Sequence, residues 1–171
     1  MIEIIRKQIY KDTSVLVIPS NTTAKLPPLP YASINDTSPH IKDVGQADIH
    51  IVEDAEGVKK RRSESYKFVF SISVYATTDA EAIRLAKAVR SWFFLAGETH
   101  LEDMNIVVTN LGNVENRTIY LVDSYEYRHG FDVQLRGSDD QTFNRVHQDG
   151  TNVHYDWIET VELEFEGVNV E

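Results

Sequence analysis

The sequence predicts an α+β fold: a mainly antiparallel sheet of about four to six strands, packed against one long helix and a short N-terminal helix. Three stretches carry that prediction. In the first, Tyr66, Phe68, Phe70, Ile72, Val74 and Ala76 are apolar at alternate positions, the period of a half-buried strand. In the second, the period changes within a few residues. Thr78-Asp79-Ala80-Glu81 has the capping-box spacing, so the Thr78 hydroxyl can take the Glu81 amide and the Glu81 carboxylate can reach back to the Thr78 amide. Ala82, Leu85, Ala86, Val89, Trp92, Phe93 and Ala96 then fall on one helical stripe. In the third, Tyr127, His129, Phe131, Val133 and Leu135 alternate with Arg128, Gly130, Asp132 and Gln134, again a half-buried strand. A strand and a helix that each bury one face are satisfied by laying the helix Asp79 to Phe94 across the even-numbered face of Tyr66 to Ala76.

In chain order, Ile2, Ile5 and Ile9 place an amphipathic helix over 2–11, and Val15 to Ile18 reads as a brief strand stopped by Pro19. Pro27, Pro28 and Pro30 keep 19–30 out of helix and favour an extended surface connection. Tyr31 to Ile34 reads as a strand, ended by turn chemistry at Asn35-Asp36 and Ser38-Pro39. Asp48 to Val52 is a further strand with Ile49 and Ile51 on one face, and the charged stretch Asp54 to Arg62 makes a long hairpin with the central strand. Gly97 stands where a left-handed helix cap is expected. Lys87 and Arg90 suit the helix C-terminus electrostatically. Ile106 to Leu111 reads as a buried strand, and Val114 to Tyr125 as a loop with a turn of helix. Gly137 to Asn152, rich in Gly, Asp, Asn and Gln, reads as a long exposed loop. A last strand has Trp157, Val161, Leu163 and Phe165 on one side and Glu162, Glu164 and Glu166 on the other.

At 171 residues and 42% hydrophobic, one domain over 1–171 with a real core is expected. The formal charge of −10 is the wrong sign for a free-standing nucleic-acid binder or for an anionic membrane surface. The absence of cysteine removes disulfides, Cys-based zinc sites and Cys nucleophiles. Met1-Ile2-Glu3 begins with an acid, and Arg6 and Lys7 interrupt the apolar run, so no secretory leader is expected. No apolar stretch approaches membrane-spanning length. The triplets at Asn21, Asn35 and Asn116 are then chance matches to the glycosylation pattern.

Chemistry-bearing patterns are missing. His40, His50, His100, His129, His147 and His154 show no metal-ligand spacing, and no phosphate-binding loop or nucleophile elbow is present. The nearest approach to a metal-dependent nuclease is Asp43 or Asp48 with Glu56 and Lys59, where the lysine is one residue out of register. No catalytic, cofactor or metal residue is therefore assigned. The one basic block, Lys59-Lys60-Arg61-Arg62, suits either a solvated tip or contact with an acidic neighbour.

The ordered set of elements resembles a known family. Pro27-Pro28-Leu29-Pro30-Tyr31 leads into a strand; then come the charged hairpin, Phe68 to Ala76, the helix Asp79 to Phe94, Tyr125-Glu126-Tyr127-Arg128-His129-Gly130-Phe131-Asp132-Val133, and Ile158-Glu159-Thr160-Val161-Glu162. Over roughly 27–166 this looks like the neck or tail terminator proteins of tailed bacteriophages. The resemblance implies a non-enzymatic virion protein, assembled in the host cytoplasm. It implies a homo-oligomeric ring, typically of six, that caps the tail tube protein, meets a neck or connector protein and lets DNA pass. On that reading Lys59, Lys60, Arg61 and Arg62 contact a neighbour, pointing away from the lumen, while Asp139, Asp140, Glu162, Glu164 and Glu166 are candidates to line it. The alternative is a head-completion adaptor, or another binding module using the loop from Gly137 to Asn152; a nuclease is a distant third.

Overall fold

The computed structural model describes residues 1–43, 45–54 and 57–144. Its elements are α1 (Ile2–Thr13), β1 (Val17–Pro19), β2 (Tyr31–Lys42), β3 (Asp48–Asp54), β4 (Gly57–Ala76), α2 (Asp79–Trp92), α3 (Glu98–Glu102), β5 (Val107–Leu111), β6 (Glu115–Asn116), β7 (Ile119–Leu121) and β8 (Ser124–Asn144). The fold is α+β and mostly sheet. The strand order is β1-β2-β4-β8-β5, with β3 on β4 and with β6 and β7 on β8, eight strands among the described residues. That exceeds the expected four to six because β6 and β7 are too short to show a period of their own. The N-terminal helix is not the minor partner either, at 12 residues against 14 for α2. The chain divides into two compact units, one of 1–47 with 63–139 and one of 48–62 with the chain from 140.

In the first unit the expected face is the buried one. Phe68, Phe70, Ile72, Val74 and Ala76 of β4 are buried, and Tyr66 is half-buried at the margin. They share one core with Leu85, Ala86, Val89 and Trp92 of α2, Phe131, Val133 and Leu135 of β8, and Ile5 and Ile9 of α1. The Thr78 hydroxyl accepts the Glu81 amide at 3.3 Å, half of the expected capping box. The Glu81 carboxylate instead takes the Thr77 hydroxyl at 3.0 Å.

Several boundaries differ from the expectation, each for a reason in the pairing. β2 does not turn at Asn35-Asp36. It continues to Lys42 against β4, absorbing the polar residues as irregularities between Asp36, Ser38 and Ile41. Gly97 is no left-handed cap: its φ is −88°, and it opens α3. Its lack of a side chain serves the Trp92 indole, since a Cβ there would fall 2.5 Å from the ring. The run from Val107 is only partly buried, since β5 is the last strand of the sheet path among the described residues; Ile106 enters the core, Val108 and Leu111 pack half-buried against it, and Val107 is 47% exposed. Instead of a helical turn, 114–125 holds β6, then β7 paired with the start of β8, Leu121 opposite Ser124. The stretch read as a loop from Gly137 is strand as far as Asn144, and 145–152 lie outside the described residues.

One tie holds α1 to α2. Trp92 Nε1 donates to Asp12 Oδ2 at 2.7 Å. That hydrogen bond is the main cause holding the Asp12 carboxyl below its ordinary range, opposed by burial and aided by Gln8 and by the charges of Lys11 and His100. A depressed folded-state value means a stabilising contribution present above the ordinary aspartate range and lost as pH falls through the folded value. The difference in melting temperature between the wild type and Asp12→Asn is expected to be constant near neutrality and to vanish as pH falls below about 4. Thermal melts across that range check it; a difference that persists undiminished at low pH would assign the effect to shape rather than charge.

Candidate assembly surfaces

The basic block sits on a strand. Lys59, Lys60, Arg61 and Arg62 open β4, where pairing outweighs their weak strand propensity. Lys60 and Arg61 are exposed, and Lys59 and Arg62 half-buried. Arg61 Nη2 lies 3.8 Å from Asp140 Oδ1, with both side chains about half exposed, a geometry worth about 0–1 kcal/mol. Thus Arg61 and Asp140, expected to point in different directions, stand side by side. Asp139 is half-buried, and Glu162, Glu164 and Glu166 lie outside the described residues. Beside the basic block the second unit exposes apolar side chains, Ile49 at 51%, Ile51 at 70%, Val52 and Phe143.

A groove of about 500 Å³ lies in the first unit between the end of α2, α3 and β5. The chain folds there because α2 stops at Trp92 while the apolar run continues through Phe93, Phe94 and Leu95. Phe93 turns into the core, and Phe94 and Leu95 are left outside. Arg90 fixes the groove floor, donating from Nε to the Gly112 carbonyl at 2.7 Å and from Nη2 to the Leu111 carbonyl at 3.2 Å, with its guanidinium 5.8 Å from the Phe94 ring centroid. Glu98 and Glu102 line the rim, and exposed Asp103 follows.

The odd-numbered face of β4 carries a polar lattice centred on Arg117. Its Nη1 donates to Ser71 Oγ at 2.8 Å and Ser73 Oγ at 3.2 Å, and its Nη2 to Asp132 Oδ1 at 2.9 Å. Ser71 Oγ also donates to Asp132 Oδ1 at 2.6 Å. Burial pushes the Asp132 carboxyl up, but the Ser71 and Arg117 hydrogen bonds and the Arg117 charge outweigh it and hold the carboxyl low. The lattice ties β4 and β8 to Arg117 as a brace.

The histidines and acids are dispersed. His129 is buried on the inward face of β8, Nε2 2.8 Å from Asp79 Oδ1, as its position in the alternation predicts. His50 meets Asp48 at 2.8 Å on the surface, and Asp43 meets Lys67 at 2.7 Å. His147, His154 and Glu56 lie outside the described residues. Among the described residues no group of three His, Cys, Asp or Glu could hold a metal ion, and no helix is long and apolar enough to cross a membrane.

Sequence reasoning missed the groove and Arg117. Phe94 and Leu95 falling outside the helical stripe were the signal for the first. For the second, the signal was Gly130 inside a strand, where glycine marks a close approach. A family model described as phage neck terminator protein matches residues 1–170. No curated protein matches the chain.

Proposed function

The chain belongs to the phage neck terminator protein family, and we propose that it closes the finished tail tube as a ring of identical subunits, six by the family resemblance, through which DNA passes. A structural role in the neck of the virion follows from membership itself. The observation that carries this reading is the match itself, which runs over residues 1–170 rather than over one motif. No reaction is proposed.

The proposed partners are further copies of the chain, the tail tube protein on one side and a neck or connector protein on the other. Charge supports free passage of DNA. A subunit of −10 repeated around an axis gives a strongly negative field, and a lumen that offers carboxylates gives phosphate nothing to displace its counterions. Asp139, Asp140, Glu162, Glu164 and Glu166 remain the candidates for that wall, with the charge of Asp140 partly offset by Arg61 beside it.

Imaging of virions tests this reading. In particles made without the chain, tails are expected to be of uneven length and unjoined to heads, and in complete particles the protein is expected as a symmetric ring at the head–tail junction. Uniform, joined tails in its absence, or a single off-axis copy at the neck, would overturn it.

A further inference from the structure

We propose that the β3–β4 ribbon of one subunit docks into the α2–α3–β5 groove of the next, its basic block set against the groove's acidic rim. The proposal rests on the ring reading above and names the two surfaces that would close the ring.

The two surfaces match in charge. Glu98, Glu102 and Asp103 are exposed around the groove, and among the described residues none of them has a cation within 4.0 Å. Arg90, which lines the same groove, forms no ion pair with them within 4.0 Å; its guanidinium donates to the carbonyls of Leu111 and Gly112. On the ribbon, Lys60 and Arg61 are exposed, and the contact of Arg61 with an acid among the described residues is the 3.8 Å one to Asp140. Charges placed this way give register and exclude wrong partners more than they give affinity.

They also match in apolar surface. The groove presents Phe94 at 45% and Val107 at 47% exposure, Leu95 next to Phe94 in the chain is 67% exposed, and the ribbon presents Ile49, Ile51 and Val52. Among the described residues both sides end in a strand edge: β5 terminates the sheet path, and β3 pairs only with β4. Unused edges are ordinarily blunted by lysine, proline or a covering element. β5 reads Val107-Val108-Thr109-Asn110-Leu111, with no charge and no proline. Strand addition to such an edge supplies backbone partners beyond those that the described residues provide.

Because ribbon and groove are different surfaces, the contact is heterologous, and it repeats head to tail until a rotation closes it. A strand of 7 residues does not cover the roughly 1,200–2,000 Å² of a stable free complex. Free subunits are therefore expected to stay apart and to close only where the tube end holds them together.

The chain has no cysteine, so introduced pairs report cleanly. Ile51→Cys combined with Leu95→Cys, supplied to infected cells in place of the wild type, is expected to give a ladder of disulfide-linked multiples from purified tails on a non-reducing gel. Separately, Lys60→Glu with Arg61→Glu is expected to lower the yield of joined particles by about a hundredfold, and adding Glu98→Lys with Glu102→Lys to restore most of it. Circular dichroism of each purified variant establishes that it is folded. A linked ladder together with charge-swap rescue supports the proposal. Unlinked or internally linked monomers, or a charge swap that fails to rescue, overturns it. If the protein is still found at the neck in that case, only the choice of surfaces fails; if it is missing from wild-type particles, the ring reading itself fails.

Discussion

Replacing Trp92 by alanine is expected to lower the free energy of unfolding by about 3–5 kcal/mol, the range for deleting a large buried aromatic. Trp92 is 2% exposed and stands edge-on to Phe93 with ring centroids 5.0 Å apart. It spans three elements at once. The indole N–H donates to Asp12 of α1, the ring lies over Gly97 ahead of α3, and the side chain sits on the buried stripe of α2. Little can collapse into the space, because the helix that would have to move is held by Arg90 at one end and by the Asp79–His129 pair at the other. Trp92→Phe separates the parts: it keeps most of the ring and loses the donor, so about 1–2 kcal/mol is expected. Urea melts of the two variants check both values. A loss below about 1 kcal/mol for alanine would place the indole on a surface.

Substituting Gly130 by alanine is expected to cost about 1–3 kcal/mol or more, although the change adds a single methyl group. A Cβ at this position would come 2.4 Å from the Ile72 carbonyl oxygen and 2.8 Å from Arg117 Nη1. The guanidinium is the far end of a flexible side chain and can withdraw. The carbonyl belongs to β4, the neighbour of β8 in the sheet, and can retreat only if the two strands part. Adding Arg117→Ala to Gly130→Ala is therefore expected to recover little of the loss. Full recovery in a denaturant melt would mean that the brace, not the backbone, sets the limit.

These two residues mark how far the sequence could be read. Trp92 was legible because a helix with one apolar stripe admits one solution, and the strand before it offered a matching face. His129 was legible for the same reason, placed inward by the alternation. What failed was set by partners distant in sequence. β2 runs through its turn-forming residues because β4 is long enough to pair with all of them. Val107 looks like a core residue but lies exposed, since nothing in a β-branched run says that its strand stands last in the sheet path of the described residues. Arg117 was passed over as part of a chance triplet; its ligands lie at 71, 73 and 132, and no local spacing joins them. Of the candidate surfaces, the basic block was visible as composition. Its neighbour Asp140 was not, because 137–144 read as a loop and loops carry no register.

The bond between Asp12 and Trp92 links positions 80 residues apart. Synthesis proceeds at about 5–20 residues per second, so α1 leaves the ribosome about 4–16 seconds before the helix that covers it. For that interval Ile5 and Ile9, both fully enclosed in the finished protein, lack the cover that α2 supplies. A helix made early thus waits for the partner that secures it, and the chain's exposure to misassembly lasts at least as long as that wait.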